Sequence, residues 1–295
     1  MRGTLVGTFA RSRMLGNVDT AEALALALEL ADLADRLTMS RFRKSDLKVA
    51  TKPDLTPVSE ADEAVERAIR ERLGASTGHL VLGEEFGTVA GDVLADSEYR
   101  WIVDPIDGTK SYVRGVPIWA TLIGLERAGE LIVGVASAPA LGMRWWAGRG
   151  LGAFRDGERI CVSSVAVLAD AQLSFAWDTS ERFHAEGVGN KLVDLSHRCW
   201  RTRGIGDFWQ HLLVAEGAFD VSIDPIVSLW DIAALIPIVE EAGGRWTAVD
   251  GRADVDAGGF VCTNGLLHDA VIASLTEPRR SCPSSRSEST SAPPR

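Results

Sequence analysis

The chain has 295 residues, 46% hydrophobic and 24% charged, which is enough for a sizeable core in one large domain or two smaller ones. A formal net charge of -10 argues against nucleic acid as partner, because phosphate backbones are gripped by Lys and Arg. No apolar run approaches membrane-spanning length, and Cys161, Cys199, Cys262 and Cys282 lie too far apart for a zinc knuckle or a disulfide framework, so a cytoplasmic enzyme without membrane contact is the default expectation.

Residues 1–18 show no periodicity and read as a loose arm. Asp19 with Glu22 has capping-box-like spacing, and Leu24, Leu28, Ala31 and Ala34 follow at helical intervals to about Phe42. Two prolines between Lys48 and Pro57 mark a loop or hairpin, after which Ser59 and Asp62 cap a second helix with Val65, Ala68, Ile69 and Leu73 on its buried face. Taken alone, Asp54, Thr56 and Asp62 are turn and cap residues. Leu80 to Leu82 is a short strand that ends in Gly83-Glu84-Glu85-Phe86-Gly87, a strand edge with paired carboxylates.

Trp101 to Val103 is an apolar strand that delivers Asp104 to the edge of the core. Asp104-Pro105-Ile106-Asp107-Gly108-Thr109 then places two carboxylates on a loop stiffened by Pro105. Hard oxygen ligands in this form suit Mg2+, and a helix starting after Gly108 would turn free N–H groups towards the same place. A solvated acidic turn accounts for the bare motif equally well. Residues 119–125 and 131–137 read as a hairpin, and 144–147 and 152–155 continue an antiparallel pattern. The glycines at 148, 150 and 152 have the wrong spacing for a dinucleotide fingerprint.

A soft boundary falls near Ile160, dividing residues 19–160 from 161–275. Strands are expected at 173–176, 219–223, 245–249 and 260–263. Helices are expected over 181–195, after Gly206-Asp207, after Asp224 to Asp231, and over 266–275. Asp231 on its own is a helix-dipole residue. Pro237 should kink its helix and Gly243-Gly244 should end it. Residues 276–295, rich in Ser, Pro and Arg, read as a disordered tail.

Three acidic clusters, Glu84/Glu85, Asp104/Asp107 and Asp231, thus stand at element ends in separate segments, as in an assembled metal site. Together with Lys52-Pro53-Asp54-Leu55-Thr56-Pro57-Val58, Asp62, Trp230-Asp231 and Glu241-Ala242-Gly243-Gly244, they resemble the inositol monophosphatase superfamily of Mg2+-dependent, lithium-sensitive phosphatases. The similarity runs from about Ala21 to Leu275 in the family's order and spacing. It implies an α/β (α+β) chain folded as a layered α-β-α-β-α sandwich, usually a homodimer, with the site between an N-terminal α+β half and a C-terminal α/β half. It further implies two to three Mg2+ ions per site, one held by Glu84, Asp104 and the Ile106 carbonyl, and a second by Asp104, Asp107 and Asp231. A weaker third ion would also use Glu84. By the same resemblance Glu84 and Thr109 activate water, Asp54 orients Thr109, and Asp107, Gly108 and Thr109 hold the phosphate of a small-molecule monoester. Ser111 and Tyr112 depart from the family's usual Asn and Phe.

Asp107 to Lys110, Arg114 to Ala120, Ser137 to Ala140 and Gly206-Asp207-Phe208 look most like the bacterial, and especially actinobacterial, histidinol-phosphate phosphatases. Asp207 and Asp224 align with positions that touch the organic part of the substrate, and two carboxylates suit an ammonium group. Trp119, Trp209 and Trp230 are available to stack on an imidazole, or to pack. The alternatives are inositol phosphate as substrate, or a catalytically silent scaffold or binding protein of the same fold.

Overall fold

In the computed structural model, residues 19–53, 55–77, 79–88, 98–177 and 188–277 are described. The expected arm, all but two residues of the expected tail, most of the polar connection before Glu98 and the first part of the helix expected from 181 lie outside them. Helices α1 (Thr20–Arg41) and α2 (Glu60–Ser76) start at their capping residues. Asp19 accepts the Ala21 amide at 3.1 Å, and Ser59 accepts that of Ala61 at 3.2 Å while Asp62 returns a bond from the Ser59 amide at 2.9 Å. Each such cap is worth about 1 kcal/mol. Between the two helices, β1 (Val49–Thr51) and β2 (Pro57–Ser59) form a small antiparallel hairpin.

The first large sheet contains β3 (Leu80–Gly83), β4 (Gly87–Thr88), β5 (Tyr99–Asp107), β6 (Ala120–Arg127), β7 (Glu130–Ala138), β8 (Met143–Gly148), β9 (Gly152–Arg155) and β10 (Glu158–Arg159), in the order β10-β9-β8-β7-β6-β5-β3-β4. Only β3 and β5 pair in parallel. The β6–β7 hairpin turns through Ala128 and Gly129, at φ 50° and 86°, the left-handed pair that matches strand twist. Alternation along β5 splits its side chains between two cores. Trp101 and Val103 pack with Leu30, Ile69 and Leu73 of α1 and α2, whereas Ile102 faces the other way.

The second sheet holds β11 (Gln172–Phe175), β12 (Arg201–Arg203), β13 (Val221–Asp224), β14 (Arg245–Thr247) and β15 (Phe260–Thr263), in the order β12-β11-β13-β15-β14. Between the sheets lie α5 (Asp207–Ala215), α6 (Leu229–Ile232) and α7 (Leu235–Glu241), whose Phe208, Leu212, Ile232 and Ile238 meet Ile102, Leu122 and Trp145 on one side and Phe260 and Cys262 on the other. Outside the second sheet, α4 (Val188–Ser196) and α8 (His268–Thr276) bury Leu192, Leu195 and Val271 against Leu173, Val221 and Ile223. The result is the α-β-α-β-α sandwich that the resemblance implied. The helix expected to kink at Pro237 is two helices joined at Ala233 and Ala234, because Pro237 has no N–H for the Ala233 carbonyl. Gly243, at φ 89°, ends the second of them. Among the described residues Cys161, Cys199 and Cys262 are free thiols.

Candidate active site

Asp104 and Asp107 are three residues apart on one strand, and in a regular strand they would point to opposite faces. The pairing of β5 with β6 resolves this. Asp104 pairs with Leu122 and Asp107 with Ala120, so three steps on β5 oppose two on β6. This bulge resets the alternation, and both carboxylates fall on one side. Its polar groups are satisfied locally: the Asp104 carboxylate accepts the Ile106 amide at 3.0 Å, and the Thr121 hydroxyl donates to the Pro105 carbonyl at 2.7 Å. Gly108, at φ 83°, then turns the chain into the short helix α3 (Thr109–Val113).

Asp231 arrives from the first turn of α6, its carboxylate fixed by the Ser228 amide at 2.7 Å. One carboxylate oxygen from each of Asp104, Asp107 and Asp231 lies within 4.8 Å of the others. Glu84 follows the end of β3, beside β5, and lines the same cleft. The cleft, of about 310 Å³, is also lined by Ile106, Gly108, Thr109, Lys110, Asp207 and Asp224. Thr109 donates within reach of two acceptors, the Ile106 carbonyl at 2.9 Å and the Asp62 carboxylate at 3.2 Å. From the β1–β2 hairpin, Lys52 reaches Glu84 at 2.7 Å and Glu85 at 2.8 Å. Across the cleft the Phe208 amide, at the start of α5, binds Asp107 at 2.6 Å.

The electrostatics of this cluster are unfavourable to charge. Burial, then the neighbouring Glu84, Asp107 and Asp231, holds the Asp104 carboxyl well above its usual range. Burial and the nearby Asp207 and Asp231 do the same to Asp107, and Asp231 is pushed up to about 7, chiefly by burial. Asp104 is only 2% exposed. Buried carboxylates crowded in this way repel one another unless protons or a cation intervene, and their hard oxygen donors fit a divalent ion such as Mg2+. Asp207 is likewise raised by burial, with Lys110 opposing the shift. His211, also at the cleft, is pushed down to about 3 by burial and is neutral.

Of the residues singled out from sequence, Glu84, Asp104, Ile106, Asp107, Gly108, Thr109, Asp207, Asp224 and Asp231 therefore line one cleft. Asp54 lies outside the described residues. The carboxylate that meets Thr109 is that of Asp62, whose local spacing marks it only as a helix cap. It is both: Oδ2 closes the capping box and Oδ1 receives Thr109. Of the two uses open to Trp119, Trp209 and Trp230, packing is the one found. Trp119 is fully buried between Phe42 and Tyr112, Trp209 and Trp230 pack against the inter-sheet core, and none of the three lines the cleft.

The family model described as "Inositol monophosphatase family" matches residues 19–280. The chain is 52% identical over 258 residues to a histidinol-phosphatase of Mycobacterium tuberculosis, covering 85% of this chain and 97% of that one. It is 49% identical over 269 residues to a histidinol-phosphatase of Streptomyces coelicolor, covering 88% and 98%. Among solved structures, the extragenic suppressor protein suhB of Bartonella henselae superimposes with a TM-score of 0.79 at 28% identity, over 86% of this chain and 98% of that one.

Proposed function

The chain belongs to the inositol monophosphatase family of metal-dependent phosphatases, and from that premise we propose that it hydrolyses L-histidinol phosphate to L-histidinol and phosphate. The observation that carries the choice of ester is a second carboxylate pair, Asp207 and Asp224, lining the same cleft as the acidic triad. An amino alcohol phosphate presents an ammonium group at one end and a dianion at the other. A cleft lined by both the triad and this pair needs a metal cation to receive the phosphate, and it still has carboxylate charge left to meet the ammonium.

Glu84, Asp104, Asp107, Asp231 and the Ile106 carbonyl would hold two to three Mg2+ ions. When bound, the ions neutralise phosphoryl charge, lower the pKa of water and stabilise the leaving alkoxide. Thr109, whose proton is directed to Asp62 or the Ile106 carbonyl, keeps a lone pair to accept from the attacking water. Glu84 takes up the water proton, with Lys52 fixing one of its oxygens. The Gly108 and Thr109 amides, at the start of α3, hold the phosphate on line, while Asp207 and Asp224 orient the amine.

The test is phosphate release by the purified chain in Mg2+. kcat/KM for L-histidinol phosphate should exceed that for inositol 1-phosphate by about tenfold or more, the worth of one charge-assisted contact. A preference for the inositol ester would overturn the substrate, and release from neither would overturn the activity.

A further inference from the structure

Helix α2 carries three buried or half-buried charged residues four apart, Asp62, Glu66 and Arg70, which share one face. Asp62 meets Thr109. Glu66 has no such place in the chemistry described above, yet it is fully buried. A buried carboxylate is expensive unless its oxygens are satisfied. Here they are satisfied by the backbone of the turn that carries Glu84. One oxygen of Glu66 accepts the Glu85 amide at 2.7 Å, and the other accepts the Phe86 amide at 3.2 Å.

Arg70 locks this arrangement from below. It donates to Glu66 through Nε at 2.9 Å and Nη2 at 2.7 Å, and reaches the carbonyls of Val81 in β3 and of Gly87 at the far end of the turn. The space has been shaped for the carboxylate, since a β-carbon at Gly83 would overlap it. The amide of Glu84 itself donates to the Val103 carbonyl of β5 at 3.1 Å. The backbone around Glu84 is thus pinned on one side by the strand that carries Asp104 and on the other by Glu66. Its side chain is left pointing into the cleft, where Lys52 holds it.

We propose that Glu66, clamped by Arg70, is a positioning residue for Glu84: it fixes the Gly83–Gly87 turn so that this carboxylate meets the Mg2+ cluster. The role is exercised through backbone amides and involves no contact with substrate. It rests on the metal dependence proposed above, and outer groups of this kind change metal affinity by about 10- to 100-fold when lost.

The experiment measures Mg2+ binding to the full chain by titration calorimetry, with hydrogen exchange of residues 80–88 followed by mass spectrometry. Glu66→Gln keeps the shape but removes the ion pair and places an amide N–H group against a backbone donor. Its Mg2+ affinity should fall about tenfold or more, and the Glu85 and Phe86 amides should exchange faster. Arg70→Lys keeps the Glu66 charge while losing the fork, and should show the same changes to a smaller extent. Removing one partner of a buried pair is strongly destabilising, so if Glu66→Gln does not fold, Arg70→Lys decides. A folded variant with a lowered melting temperature, faster exchange and wild-type Mg2+ affinity would reduce Glu66 to a structural residue and overturn the proposal. A wild-type chain that binds no Mg2+ would overturn the functional reading itself.

Discussion

Asp207 adopts φ 49°, a left-handed conformation that Asp tolerates better than most side chains and that Gly206 before it, at φ 76°, helps the chain to enter. The bend sets its carboxylate at the cleft, close enough to Gly108 that a β-carbon there would come within 3.4 Å of it. Burial raises its pKa, so the ionised form lacks full solvation, and Lys110 compensates only in part. A substrate ammonium would complete that compensation. Asp207→Ala should therefore raise KM for L-histidinol phosphate by about 10- to 100-fold, the range of a charge-assisted hydrogen bond, while KM for a simple aryl phosphate changes little. Equal effects on the two esters in steady-state assays would remove the proposed contact. The contact between Asp62 and Thr109 belongs to the same scale. A cap uses a single oxygen, and the partner of Asp62 Oδ1 lies 47 positions away, where no local pattern reports it.

At the scale of elements, the break between α6 and α7 is pressed against the first sheet. A β-carbon at Gly124 would come within 3.0 Å of the Ala233 backbone, and one at Gly134 would overlap the Ala234 carbonyl. Two glycines on neighbouring strands β6 and β7 thus make room for the helix join that sets Asp231 over Asp104 and Asp107. Gly134→Ala should cost about 1–3 kcal/mol as an overpacked contact, lowering the melting temperature by several degrees. Gly74→Ala, inside α2 with open space around it, should instead stabilise by about 0.4–1 kcal/mol. Thermal melts of the two variants check both signs. Capped helices, apolar strands and turn glycines were legible in the sequence because their causes are local. The Thr109–Asp62 contact, the Glu66 clamp and the β5 bulge were not, since each depends on a partner fixed by tertiary pairing. Trp119 shows the converse: its residue type invites a stacking role, and only the enclosure by Phe42 and Tyr112 decides against it.

Across the whole molecule, the cleft is where both sheets bring the C-terminal ends of parallel strands together. β3 and β5 deliver Glu84, Asp104 and Asp107 from one sheet, and β12 and β13 deliver Asp207 and Asp224 from the other. Such an end is a natural place for a ligand, but here the fold gathers like charges at the junction of its two sheets. The folded chain therefore holds protons that the unfolded chain releases. An unfolded Asp titrates near 3.8, whereas Asp231 in the fold titrates at about 7, with Asp104 and Asp107 also raised. Between roughly pH 4 and 7 the folded state binds more protons, so stability without metal falls as pH rises through that window. A cation that binds only the folded, ionised carboxylates acts in the opposite sense and is most effective once those protons are gone. In EDTA the melting temperature should drop between pH 5 and 8, and millimolar Mg2+ should raise it more at pH 8 than at pH 5. Scanning calorimetry at the two pH values measures both slopes. If the metal-free protein grew more stable over that interval, or if Mg2+ shifted the transition equally at both ends, the acidic junction would not be the cation site.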